Sequence, residues 1–473
     1  MTGTPFHREH AAKMLPIDSS DPRPVHFVGI AGAGMRALAE LLARRGVVVT
    51  GCDANPGSTT DLEALGIQVT KGHSADHVAG VRELVVTSAM RKDHPELVRA
   101  RELGVPITRR AEALGRAVDS GRLVGIAGTH GKTTTTVMTT SALASAGLKP
   151  TGIAGGRVAE WNGNLSYESD DLFVVEADEY DRSFLSLWPT VAVVTNIEAD
   201  HLDIYHDLDD IKTTFAHFVV NAPVIVVCAD DAGASSLALP VSAEVIRYGL
   251  TSPHARLVAR DIRPNGQATT FAVAYDGEEL GDVVLHVPGH HNVQNALAAI
   301  GAGFALGATL DQMREGLTRF GGVERRFQHL CDIAGLSIVD DYAHHPTEIA
   351  ATIQAAHSAY PGRRIVAAFQ PHLFTRTRDF SEAFGGALAV VDAVFLAEIY
   401  PSREQPIPGV TSDLIAAAMS RAGRPPVWQG ARPDLAQALA EFVKRGDVVI
   451  TIGAGDITLT GPELKQRLES RSG

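Results

Sequence analysis

Cysteine is scarce and scattered in this chain: Cys52, Cys228 and Cys331 lie far apart with no CxxC pair. That spacing points to neither a disulfide framework nor a thiolate metal motif, and it fits a reducing cytoplasm. Long apolar runs are missing too. Runs such as Val224 to Cys228 fall far short of the ~20 residues of a membrane helix, and the N-terminus has no apolar signal core, so no membrane insertion is expected. Positive charge is not in excess. The formal net charge of -13 argues against nonspecific nucleic-acid binding, although local lysines and arginines still decide whether an anionic substrate binds, because screening acts over ~8 Å. H-E-x-x-H is absent, as are internal repeats and low-complexity tracts. What remains is ordinary globular composition over 473 residues, too long for one core, so two or three domains are expected.

Residues 1–23, polar and proline-containing, read as a disordered leader. From Val25 to Asp119, short apolar runs alternate with helical patterns, which predicts a doubly wound α/β unit. Its first turn, Gly29-Ile30-Ala31-Gly32-Ala33-Gly34, approximates GxGxxG, and Asp53 ends the second strand about where a ribose-binding acid belongs. Alone, this predicts an NAD-dependent oxidoreductase. Ala31 in the middle glycine place leaves a diphosphate-binding turn open and a purely structural tight turn equally so.

A second α/β section starts at Leu123 and becomes strand-rich towards Ala268–Ala274 and Val283–Val287, followed by an alanine-rich helix from Asn292 to Leu306. A third alternation runs from Ser337 to the C-terminus, with strands near Ile338, Ile365–Phe369, Ala393–Ala397 and Val448–Ile452.

The chemistry concentrates where these strands end. Gly128-Thr129-His130-Gly131-Lys132-Thr133-Thr134 follows a strand and opens a helix. Backbone N–H groups at the positive end of a helix dipole, a lysine point charge and a threonine hydroxyl for magnesium form a phosphate cradle. The strict loop has glycine where Ile126 stands, so a bland glycine turn is the competing reading. Leu172–Val175 runs into Glu176-Ala177-Asp178-Glu179, making Glu176 a magnesium candidate, with a solvated acidic loop as the alternative. Thr195-Asn196-Ile197-Glu198-Ala199-Asp200-His201-Leu202-Asp203 repeats that geometry, and His201 could complete a second cation position or orient a phosphate. His290, His291, Asn292 and Asn295 open the alanine-rich helix; they offer imidazole stacking and amide recognition of adenine, or Asn292 merely caps the helix. Arg325 and Arg326 stand at an expected domain junction, where an arginine can stabilise charge in phosphoryl transfer.

In this order, GTHGKTT, TNIEADHLD, PGHHNVQNALAA, GVERRF, DDYAHHP and FQPHLFTRT resemble the Mur ligase family, from Val25 to the C-terminus. The resemblance implies an α/β protein of three domains: a Rossmann-like UDP-sugar domain over 24–120, a central P-loop ATPase domain with a mixed sheet over 121–326, and a Rossmann-like amino-acid domain over 327–473. It implies an ATP- and Mg2+-dependent ligase that joins L-alanine to the carboxylate of UDP-N-acetylmuramate through an acyl phosphate. A ligase attaching a whole tripeptide to the same nucleotide sugar is the nearest alternative.

By the same resemblance, Gly128, Thr129, His130, Gly131, Lys132, Thr133, Thr134, His291, Asn295, Arg326 and Asp341 contact ATP, and Thr133, Glu176 and His201 serve magnesium. Family members adding later residues often use a carbamylated lysine near the second magnesium. No lysine lies between Leu172 and Ile211, which favours His201 there. Gly29, Gly32, Gly34 and His73 are expected at the uridine diphosphate, although the usual GIGGAG turn is here GIAGAG. His344, His345, His372 and Arg376 are expected on the alanine and muramyl carboxylate side, with Tyr342 limiting the pocket to a small side chain. The catalytic set is then Lys132, His201, Arg326, His345 and His372; either of the last two could take the amine proton. The sequence assigns no oligomeric state.

Overall fold

The computed structural model describes residues 18–87, 90–202 and 204–472. Residues 1–17 of the expected leader and Asp203 of the TNIEADHLD stretch lie outside the described residues. The chain divides into two compact units, 1–258 with 296–316, and 259–295 with 317–473.

The first unit holds two sheets. Strands Gln68–Lys71, Val49–Asp53, Val25–Val28, Glu83–Val86 and Ile107–Arg109 lie side by side in that order, all parallel. Val25–Val28 is the first strand and stands in the middle, so the chain winds first to one side and then to the other. The turn at 29–34 therefore opens at the switch point, where such sheets bind ligands. Helix Ala33–Arg44 covers one face because Met35, Leu38, Leu41 and Leu42 recur at helical spacing and are buried.

In the second sheet, Glu244–Gly249, Val224–Cys228, Val191–Val194, Arg122–Ala127, Leu172–Glu176 and Thr151–Val158 run parallel in that order. Gly163–Ser166 adds an antiparallel edge, which makes the sheet mixed. Arg122–Ala127 is again central, and the phosphate-loop segment follows it. Helix Lys132–Ser145 is built largely from threonine, a poor helix former, yet all residues from Thr133 to Thr140 are buried. Thr139 Oγ1 and Thr140 Oγ1 donate to the carbonyls of Thr135 and Thr136 at 2.7 and 2.8 Å. Packing and these back-bonds override propensity. One apolar core, with Phe173, Phe184, Phe215 and Phe218 among its large members, runs beneath both sheets of this unit.

In the second unit, Ala268–Tyr275 and Glu278–Leu285 form an antiparallel hairpin. A six-stranded sheet orders Gln328–Ile333, Leu336–Asp341, Val448–Ile452, Ile365–Phe369, Ala393–Ala397 and Trp428–Gly430. Only its first pairing is antiparallel. Separate apolar clusters cover its two faces, Ile349, Ile353 and Phe384 on one, Leu435, Leu439 and Leu464 on the other. Helix His290–Ala305 starts two residues before Asn292, which therefore lies inside the first turn. The alternative in which Asn292 caps this helix is corrected: it lies inside the first turn, and its Nδ2 donates to Pro288 O at 2.7 Å.

Candidate functional site

The phosphate loop is held open by glycine conformations. Gly128 has φ +144°, and a Cβ there would lie 1.9 Å from Thr195 Oγ1; Gly131, which precedes the helix, has φ +81°. The loop is anchored by the next strand's end: Thr195 Oγ1 and Asn196 Nδ2 donate to His130 O at 2.7 and 3.1 Å, and Asn196 Oδ1 accepts from His130 N–H at 2.7 Å. Thr129 N–H donates to Asn196 O at 3.0 Å. The N–H groups of Thr129 and His130 are thus committed to the protein, whereas the first helical turn, beginning at Lys132, has N–H groups with no intrahelical acceptor, the kind of donor that suits an anion.

Lys132 Nζ donates to the carbonyls of Gly128 and Thr129 at 2.6 and 3.2 Å and pairs with Glu179 Oε2 at 2.8 Å. Burial works against its charge, but Glu179, Asp178 and Glu176 raise its pKa, so a buried cation is kept charged by carboxylates. Glu179 was present in the acidic string but not singled out by sequence. Its signal was adjacency to Glu176, and only the fold brings it to Lys132.

Thr133 Oγ1 donates to Glu176 Oε1 at 3.0 Å, and Gly155 N–H donates to Glu176 Oε2 at 2.5 Å. A Cβ at Gly155 would meet both carboxylate oxygens within 2.8 Å. Two hard oxygen donors this close fit a divalent cation such as magnesium, which prefers oxygen and keeps several waters. His201, at φ +52°, places Nε2 at 3.8 Å from Glu179 Oε1 and 3.9 Å from Asp200 Oδ2. The structure thus brings Lys132, Thr133, Glu176 and His201 to one sheet edge.

At the 29–34 turn, the N–H groups of Gly29 and Ile30 donate to Cys52 O at 2.8 and 3.1 Å, and Gly29 takes φ +82°. Asp53 helps to close the turn: its Oδ2 accepts from Ala31 N–H at 3.1 Å and its Oδ1 from Asn55 N–H at 2.9 Å. Arg110 was not foreseen. A Cβ on Gly34 would lie 2.9 Å from its Nη1, so the glycine lets a guanidinium approach the turn. His73 is partly exposed nearby, with Nδ1 at 3.2 Å from Cys52 Sγ.

In the second unit, strand Leu336–Asp341 ends in a buried carboxylate. Asp341 accepts N–H bonds from Phe327 and Ala343, both at 2.7 Å. Burial pushes its carboxyl up to about 6, against the pull of Arg326. The two junction arginines divide their work. Arg325 bonds Asp340 Oδ2 at 3.2 Å and Gly453 O at 2.6 Å, while Arg326 approaches Glu348 Oε1 at 3.5 Å. Both guanidinium groups lie against the Tyr342 ring, at 4.8 and 5.2 Å.

His345 caps helix Pro346–Ala359, with Pro346 in the first turn and Glu348 returning to the backbone N–H groups of His344 and His345. His344 Nδ1 donates to Tyr342 O at 2.9 Å. Its ring lies 6.2 Å from His372, which stacks on Tyr400 at 5.8 Å. Arg376 is buried in helix Phe374–Leu388. His291 is pushed down to about 4 by burial and then by Arg326 and His290, so it is neutral at pH 7 and suited to stacking on a base. Asn295 Nδ2 bonds Asn292 Oδ1 at 3.3 Å. His291, Asp341, Tyr342, His344 and, through His344, His372 thus group around Arg326, while Asn295, His345 and Arg376 are not shown to join them. Glu348 is the member that sequence missed; E at the third helical position after His345-Pro346 was its signal.

Three family models match nearly the whole chain: the Mur ligase family catalytic domain over 24–122, the Mur ligase middle domain over 126–303, and the Mur ligase glutamate ligase domain over 325–455. The chain belongs to the Mur ligase family. Its relatives include the UDP-N-acetylmuramate--L-alanine ligase of Burkholderia orbicola, 44% identical over 459 residues, covering 95% of this chain and 98% of that protein. Among solved structures, the UDP-N-acetylmuramate-alanine ligase of Thermotoga maritima superposes with a TM-score of 0.80 at 30% identity, covering 95% of this chain and 99% of that one. A murein peptide ligase from Psychrobacter arcticus follows with 0.69 at 25% identity, over 94% and 98%. Membership of this ligase family overturns the oxidoreductase alternative.

Proposed function

We propose that this Mur ligase joins L-alanine to the carboxylate of UDP-N-acetylmuramate with conversion of ATP to ADP and phosphate, in peptidoglycan precursor synthesis. The observation that carries the reading is the phosphate loop with Thr133 and Glu176 held 3.0 Å apart, in a chain aligned with an L-alanine-adding relative over 95% of its length. The proposed division is 24–120 for the nucleotide sugar, 121–326 for ATP and 327–473 for the amino acid. No helix among the described residues is long and apolar enough to cross a membrane; the proposal assigns the reaction to the cytoplasm because its substrates are ATP and a nucleotide-borne sugar.

A carboxylate resists attack by an amine because it is anionic and its oxide leaves poorly. Transfer of the γ-phosphoryl group to the sugar carboxylate answers both difficulties. The amine then attacks the acyl-phosphate carbonyl, the tetrahedral intermediate expels phosphate, and the amine proton is lost. Both steps gather anions, so the protein supplies cations and alignment. Lys132 and the first-turn N–H groups hold the β- and γ-phosphates. Thr133, Glu176 and His201 would hold Mg2+, which neutralises phosphate charge. Neutral His291 and Asn295 serve the adenine, with Gly128, Gly131 and Thr134 shaping the cradle and Thr129 and His130 bracing it. Gly29, Gly32, Gly34 and His73 serve the uridine diphosphate. Arg326 supplies charge to the transferred phosphoryl group, Asp341 fixes the backbone beside it, and His344, His345, His372 and Arg376 take the acceptor side, where Tyr342 limits acceptor size.

The test is phosphate release by the purified chain with UDP-N-acetylmuramate, ATP and magnesium across a panel of acceptors. L-Alanine is expected to give the highest kcat/KM. Equal or greater turnover with the tripeptide L-alanyl-γ-D-glutamyl-meso-diaminopimelate transfers the assignment to the recycling reaction, which the Psychrobacter neighbour keeps in view. No ADP with any acceptor ends the ligase reading.

A further inference from the structure

The N-terminal sheet buries a group of side chains that neither phosphate nor acceptor chemistry uses. His26, Cys52, His77 and Glu96 each offer a donor atom, and these four atoms lie within 4.8 Å of one another. Glu96 is fully buried, His26 is 3% exposed and Cys52 is 0% exposed. Cys52 Sγ lies 3.2 Å from Glu96 Oε1, and His77 Nδ1 is 3.1 Å from the same oxygen. His26 Nε2 is buried, has no hydrogen-bond partner, and faces Glu96 Oε2 at 3.7 Å. A carboxylate without counter-cation among apolar neighbours is costly. Here burial pushes Glu96 up, but His26, Cys52 and the Ser74 N–H outweigh it and hold the carboxyl at about 2.

We propose that His26, Cys52, His77 and Glu96 form a structural site for a single zinc-class divalent ion. Tetrahedral ligands at ~2.0–2.3 Å from zinc stand roughly 3.3–3.7 Å from each other, close to the three separations from Glu96, with the remaining pairs within 4.8 Å before any metal draws the ligands in. The donor set decides the class: two imidazoles and a thiolate select zinc-like ions over magnesium or calcium. Charge balances as well. A thiolate and a carboxylate neutralise a dication, so the filled site carries no net charge into the core. Cys52, whose thiol is pushed up by burial and by Glu96, releases its proton to solvent when the metal binds. The outer partners are already in place: Thr50 Oγ1 fixes His26 through Nδ1 at 2.8 Å, and Ser74 N–H fixes Glu96 Oε1 at 3.1 Å. His77 and His73, partly exposed, mark the way in. Because Cys52 O receives the Gly29 and Ile30 N–H bonds, the ion would stiffen the 29–34 turn from beneath.

The experiment strips the full-length protein with a strong chelator and titrates it with Co2+ and then Zn2+, without nucleotide. One equivalent of Co2+ is expected to give tetrahedral d–d bands with a thiolate charge-transfer band, and Zn2+ is expected to displace it and raise the melting temperature. Cys52→Ser should abolish the thiolate band, and His77→Gln, which removes a ligand, should weaken binding at least as much as loss of an outer-shell partner, about 10–100-fold; Cys331→Ser, at a half-buried position outside the cluster, should change neither. If Cys52→Ser fails to fold, the wild-type band and its insensitivity to both Cys331→Ser and Cys228→Ala still decide. No thiolate band in the wild type, or one that follows Cys331, overturns the proposal and leaves the cluster a hydrogen-bonded core. A magnesium-site ion lacks the thiolate band.

Discussion

The phosphate loop and the edge around Asp341 solve opposite electrostatic problems at comparable places, the C-terminal end of an interior strand, central in one sheet and next to the antiparallel edge in the other. At the loop a buried ammonium, Lys132, is kept charged by Glu179 and two carbonyl oxygens. At the other edge a buried carboxylate, Asp341, is held by two backbone N–H groups, with Arg326 close enough to lower its pKa. The first arrangement stores a cation that an incoming phosphate can recruit. The second fixes backbone, because each Asp341 oxygen ties down a different segment, 327 on one side and 343 on the other. Similar sheet edges can therefore present either a mobile charge or a rigid frame, according to which partner is a flexible side chain and which is main chain.

Removing the stored cation should have the largest effect. Lys132→Ala is expected to lower phosphate release by ~10³-fold or more while calorimetric binding of UDP-N-acetylmuramate stays near wild type; parallel loss of both would break the division between loop and nucleotide-sugar turn. Arg326→Lys sharpens the other side: replacing a planar fork stacked on Tyr342 by a point charge should reduce kcat by about 10²-fold, and an unchanged kcat would make Arg326 a mere brace. Gly128→Ala tests the loop's frame. With a Cβ 1.9 Å from Thr195 Oγ1 and φ +144°, it should cost about 3 kcal/mol, read as a fall in urea midpoint; wild-type stability would show that the loop is not held by Thr195.

The smallest effect concerns pH. Asp341 binds its proton more tightly folded than unfolded, since its carboxyl rises from the ordinary carboxylate range to about 6. The folded state therefore holds more protons across that window. This contribution to stability is complete below the unfolded pKa and is lost as pH rises through about 6. Asp341→Asn should flatten that part of the urea-midpoint profile, and an unaltered slope would place the titration elsewhere.

The two edges also differ in how far they could be read beforehand. The loop was legible because glycines, Lys132, Thr133 and a helix follow one another within seven residues, and strand-end acids announce themselves locally. The second edge was legible only as scattered histidines and arginines, and their roles came from resemblance to the Mur ligases. Local pattern started the alanine-rich helix at Asn292, two residues late, and gave no sign that Asp53 accepts N–H bonds from its own turn. The threonine-rich helix after the loop shows propensity yielding to burial.

Sequence by itself determined the alternation of strands and helices, the phosphate loop and the family, since these depend on contacts between near neighbours and on the order of short motifs. Only the tertiary structure decided that Glu179 neutralises Lys132, that Arg110 approaches Gly34, and that Cys52, barren by its spacing, meets two histidines and a buried glutamate. Parallel strands pair residues far apart along the chain, so side-chain chemistry at their edges is set by sheet order, which no local window records.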